Sequence, residues 1–157
     1  MHRRSRSQPN LLACAAAAGL FLLVGCAGRS AAEPEPELAV FMGELQRFSQ
    51  KLGYAIEGRN QPLAAFYAHE IEEVLEQLIA VQEHDGLPIG SMAQTLAWPT
   101  VEPLRAAIDA ADWSAADAHY PALIRSCNTC HQATKHQFIE ILPASDPPPF
   151  NQKFTAQ

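Results

Sequence analysis

The sequence predicts an all-α domain, an antiparallel four-helix bundle over residues 38–142 of a 157-residue chain. Three observations predict it. Apolar residues recur at alternating three- and four-residue spacings along four segments, the pattern of one buried helix face. No stretch shows the strict alternation of a half-buried strand. All connections but one are short and carry helix-ending or helix-capping residues, as antiparallel neighbours require.

The first segment places Leu38, Phe41, Leu45, Phe48, Leu52 and Ala55 on one face and stops at Gly58, a residue that ends helices at little steric cost. Asn60 is placed to cap the second helix, and Pro62 is tolerated in its first turn, where the N–H it lacks would have no partner. The second stripe is Leu63, Phe66, Tyr67, Ile71, Val74, Leu75, Leu78 and Val81. Glu70, Glu72, Glu73 and Glu76 flank it, and Asp85-Gly86 ends it.

A longer loop with Pro88, Gly90 and Pro99 follows. A short third helix is expected from about Val101 to Trp113, with Leu104, Ala107 and Ile108 inward. Ser114 and Asp117 suit a capping box for the fourth helix. Its stripe runs Tyr120, Leu123, Ile124, Cys127, Cys130, His131, Thr134, Phe138 and Ile141, and Pro121 is expected to kink it or delay its start.

Within that last stripe, Cys127-Asn128-Thr129-Cys130-His131 is a C-x-x-C-H pentapeptide. With 4 Cys and 6 His in the chain, only about 0.004 such motifs arise by chance. It is the attachment pattern of a c-type haem: two thiols each add to one vinyl group, and the adjacent His ligates the iron. Other chemistries need more. A structural zinc site wants four ligands, usually two cysteine pairs, and the mature chain has one pair. A redox dithiol of the thioredoxin kind belongs near a βαβ pattern, which is absent here. A plain disulfide between the two cysteines would constrain little. Cys127, Cys130 and His131 are therefore the expected binding residues for one covalent haem, with His131 as axial ligand.

Residues 1–25 have the form of a signal peptide: Arg3, Arg4 and Arg6 precede an apolar run from Leu11 to Val24 that is too short for a stable span. Leu23-Val24-Gly25-Cys26 has the form of a bacterial lipobox, which makes Cys26 the expected lipidated first residue of the mature protein. The alternative is ordinary cleavage near Ala27 or Ala31. Residues 26–37 then form a lipidated Cys and an extended Pro-Glu tether, whose 11 residues after Cys26 reach roughly 35 Å. Residues 143–157 are Pro-rich and expected to be a disordered tail. Export to the bacterial periplasm and membrane anchorage through lipid agree with the haem motif, because c-type haem is attached outside the cytoplasm.

The chain holds 11 basic and 17 acidic residues. Removing the three signal arginines leaves 8 against 17, a formal −9. That surface argues against nucleic acid and anionic head groups and suits a basic redox partner. A homodimer is compatible with the sequence. No Ser/His/Asp set, Gly-rich phosphate loop or second metal cluster is present, so no independent enzyme activity is expected.

Over residues 38–142 the chain resembles cytochrome c prime. The resemblance is carried by Ala122-Leu123-Ile124 leading into Cys127-Asn128-Thr129-Cys130-His131 on a final helix, and by the aromatic-rich first helix around Phe41-Met42-Gly43. Where that family commonly follows the His with an aromatic-Arg pair, this chain has Gln132-Ala133-Thr134-Lys135-His136. The resemblance implies electron transfer, or binding of NO or CO at a five-coordinate iron.

A haem ligand opposite His131 must come from upstream, since no Met follows it and His136 is too close in sequence. Helical angles put His69 on the solvent side and His136 off its own stripe, while His84 and Met92 lie near a helix end and in the loop. Met42 is the better candidate. Counted along antiparallel helices, it lies near the level of His131, at the edge of its stripe. The alternative is an apolar face of Phe41, Leu45 or Phe48 that leaves the iron open.

Overall fold

A computed structural model describes residues 37–145, 148–150 and 152–156. The expected signal segment, Cys26 and all of the expected tether but Glu37 lie outside the described residues. The chain is all-α, and among the described residues there is no strand, only an isolated bridge between His84 and Leu87. The elements are α1 (Leu38–Glu57), α2 (Gln61–Ala80), α3 (Ile89–Met92), α4 (Trp98–Asp109) and α5 (Trp113–Ala133). A π-helical turn, Ala93–Ala97, joins α3 to α4. α1 packs along α2, α2 along α4, α4 along α5, and α5 meets α1. Leu52, Ile71, Leu75, Leu104 and Ile108 are the largest fully buried side chains among the described residues.

Asn60 caps α2 by accepting from the Leu63 N–H at 3.4 Å, and Pro62 occupies the first turn. α1 ends in a way the stripe does not reveal. Arg59, at φ 50, takes the left-handed position, with Asn60 N donating to Ala55 O and Arg59 N to Ile56 O, a Schellman arrangement. Gly58 itself is right-handed, at φ −74. What it needs is space: a Cβ there would collide with the backbone of Phe154 and Thr155.

α2 stops at Ala80, earlier than expected. Asp85-Gly86 makes a tight turn instead, with φ of 51° and 76° and reciprocal 3.0 Å bonds between His84 and Leu87. The expected loop after it is largely helical, from Ile89 onward. Pro99 lacks the N–H of a regular turn, and the preceding widening, with Trp98 N donating to Ala93 O, accommodates it without ending the helix.

α5 is capped by Asp112, whose side chain accepts from Ala115 N at 3.0 Å, and not by the expected Ser114–Asp117 box. Asp117 instead takes a bidentate pair from Arg59 at 3.0 and 2.8 Å. Pro121 lies inside α5 without delaying its start at Trp113. The helix ends at Ala133. Lys135 takes φ 62, His136 N donates to His131 O at 2.7 Å, and Lys135 N to Gln132 O at 3.2 Å, a second Schellman stop. Phe138, placed on the buried stripe by periodicity, is therefore past the helix and 78% exposed.

The described part of residues 143–157 lies against the helices. Phe154 is buried, Phe150 packs against the core, and Tyr54 lies edge to face with Phe150 at 6.3 Å. Tyr54 Oη donates to Ser145 O at 2.6 Å, Tyr67 Oη to Gln152 Oε1 at 2.7 Å, and Ala156 N to Gly58 O at 3.1 Å. Two aromatic side chains and these bonds offset the ordering entropy that the Pro-rich composition suggested would win. No helix among the described residues is long and apolar enough to cross a membrane.

Candidate functional site

Positions i, i+3 and i+4 of a helix share one face, so α5 presents Cys127, Cys130 and His131 together in its last two turns. All three line one cavity of about 510 Å³, in the range of pockets that enclose cofactor-sized ligands. Its other walls are Leu38, Met42 and Leu45 of α1, Ile71, Leu75 and Leu78 of α2, and Ile89, Met92 and Ala93 around the π turn. Leu123, Thr134, Ile139 and Ile141 complete the α5 side.

The cavity brings Met42 to the same space as His131, half-buried on the wall. Leu45 is also there. Phe41 and Phe48 are not: both are buried in the core, and Phe48 packs on Tyr67 at 6.1 Å. The walls facing the cysteines are mainly aliphatic. His84, Met92 and His136, set aside on sequence grounds, also line the cavity. The cause is local: the turn at Asp85-Gly86 and the helical path from Ile89 carry the first two inward, and the stop after Ala133 turns His136 back. His69 faces solvent, 3.3 Å from Glu73.

His131 is oriented by the chain that follows it. Its Nδ1 lies 2.8 Å from Ile139 O. A carbonyl only accepts, so Nδ1 carries the hydrogen and the Nε2 lone pair is left to bind a metal. Nothing in the sequence singles out Asn128, yet it holds the same returning segment. Its Nδ2 donates to Ile141 O and its Oδ1 accepts from Ile141 N, both at 2.8 Å. Farther on, Ala144 N donates to Tyr120 Oη at 3.3 Å, and that hydroxyl donates to Ser49 O at 3.1 Å. Burial pushes the Tyr120 hydroxyl up to about 12, so it remains a donor.

Cys127 and Cys130 are free thiols. Burial pushes Cys127 up to about 11 and raises Cys130 as well. A nucleophilic redox cysteine needs the opposite shift. Among the described residues no group of three or more His, Cys, Asp or Glu is arranged to hold a bare metal ion. Two thiols on the wall, one oriented imidazole and an apolar cavity are groups that could hold a haem. No protein-family model matches the chain, and no curated protein or solved structure matches it.

Proposed function

We propose that this chain is an exported, lipid-anchored monohaem c-type cytochrome that carries single electrons, built as an antiparallel four-helix bundle with its haem motif on the last helix. One observation carries the reading: Cys127, Cys130 and His131 open onto one apolar cavity of about 510 Å³, with the His131 ring held by Ile139 O.

When bound, the haem supplies a one-electron ferric/ferrous couple. The protein's own part is attachment, orientation and exclusion of water. Cys127 and Cys130 would hold the group by thioethers. His131 would offer Nε2 to the iron, fixed in one tautomer by its Nδ1 bond. Leu45, Ile71, Leu75 and Leu78 would keep the site dry. Met42, on the same wall, would be a second ligand; Met–His ligation would raise the reduction potential. Cys26 provides the lipid anchor, residues 27–37 the tether, and the acidic mature surface suits a basic redox protein as partner. The reading assigns the chain to the bacterial periplasm, with no nucleic acid bound and no reaction of its own to catalyse.

A second reading has an observation in its favour. The walls are mainly aliphatic and the cavity is roomy, which suits NO or CO at a five-coordinate iron. Optical spectra of the reduced protein with and without CO separate the two. A low-spin, CO-insensitive spectrum supports electron transfer; a high-spin spectrum that shifts on CO supports gas binding.

A further inference from the structure

We infer that Asn128, the first residue between the two cysteines, is a positioning residue for the His131 ligand, acting through the backbone of residues 139–141. The inference rests on the haem reading above.

Asn128 and His131 are three positions apart on α5, so they lie on neighbouring turns of one face. The same returning segment meets both. Asn128 satisfies both backbone groups of Ile141 with two 2.8 Å bonds, and His131 donates from Nδ1 to Ile139 O at 2.8 Å. Upstream the stretch is held by the helix stop, with His136 N donating to His131 O at 2.7 Å and Ile139 N to His136 O at 2.8 Å; residues 135–140 are exposed, and Ile141 is the first residue beyond Thr134 to be buried. The next attachments, at Ala144 and Ser145, lie farther from Ile139 along the chain. The Asn128 amide is thus the nearest pin downstream of the carbonyl that orients His131. The amide meets both groups through separate atoms, Nδ2 donating and Oδ1 accepting.

The consequence is electronic as well as steric. A carbonyl accepting from Nδ1–H makes Nε2 a stronger donor and stabilises the ferric state. Releasing Ile141 loosens Ile139 and weakens that bond. The midpoint potential should then rise.

The test compares full-length holoprotein of wild type, Asn128→Leu, Asn128→Ala, Asn128→Gln and Tyr54→Phe. The wild type must first show covalent haem; without it the haem reading itself falls, before any variant is made. Given haem, the readouts are midpoint potential and solvent exchange of the His131 Nδ1 proton by NMR in the reduced, diamagnetic carbonyl or low-spin state. The expected result is an upward potential shift and faster exchange in the Leu and Ala variants, with helix content unchanged. Partial recovery is expected in Asn128→Gln, and no shift in Tyr54→Phe, which loosens the segment only at Ser145. Unchanged potential and exchange in folded Leu or Ala variants would overturn the inference, as would an equal shift in Tyr54→Phe. Should those variants fail to fold, Asn128→Gln decides: an upward potential shift with faster Nδ1 exchange than wild type upholds the inference, and wild-type values of both overturn it.

Discussion

His131 Nδ1 lies 2.8 Å from the carbonyl oxygen of Ile139, eight residues later in the chain. The bond closes only because α5 stops at Ala133 and the chain doubles back through Lys135 at φ 62. The imidazole is therefore aimed by backbone, with no carboxylate needed to fix its tautomer. From this site and the helices around it follow four predictions.

Removing one thiol should leave haem attached by a single thioether. Cys127→Ala and Cys130→Ala are expected to retain covalent haem at reduced yield, with the α band of the pyridine haemochrome moved to longer wavelength because one vinyl group survives. The double variant should release its haem on denaturation. A double variant that still stains for haem on a denaturing gel would contradict these roles.

Met42 lines the cavity together with Met92 and His84. Met42→Ala is expected to lose any sulfur-to-iron absorption band and to make the reduced iron reactive toward CO. Met92→Ala and His84→Ala should leave the spectrum as it was. Wild-type protein that already binds CO would remove Met42 as a ligand and favour the gas-binding reading.

Phe154, 6% exposed, packs on Tyr54 at a ring separation of 5.1 Å. Phe154→Ala should cost about 3 kcal/mol of stability by the usual penalty for emptying a buried aromatic site. Urea unfolding followed by circular dichroism measures it. A loss close to zero would mean that the tail contributes nothing to the fold.

Burial penalises the thiolate, so the Cys127 thiol sits at about 11 instead of its ordinary 9.0. Its thiolate fraction at pH 8 is then lower by about 100-fold, and alkylation in the haem-free protein should be slower by a similar factor than that of a free thiol. The rate should climb about tenfold per pH unit and level off only above about 11. Fast alkylation of Cys127 at pH 7 would restore the redox-dithiol reading.

The sequence disclosed the parts of this molecule that repeat or that sit close together. Apolar spacing located α1 and α2 and the body of α5, and the pentapeptide put both cysteines and His131 on one face. What it hid depends on backbone partners far along the chain. Asn128 is simply one of the two residues between the cysteines until Ile141 returns to it. Gly58 resembles a left-handed stop, yet its actual requirement is room for Phe154. Pro88 and Pro99 suggested a loop, whereas the π turn lets the helix continue through Pro99 and places Met92 on the cavity wall. The end of α5 was invisible because Lys135, not a glycine, takes the left-handed position.

On the proposed function, Cys127, Cys130 and His131 together hold one haem. Co-express the full-length chain with a c-type haem maturation system, purify it, and measure the pyridine haemochrome against protein concentration alongside haem staining on a denaturing gel. One haem per chain is expected, surviving denaturation and lost in the Cys127→Ala/Cys130→Ala double variant. Folded, helical protein that emerges without covalent haem would contradict it.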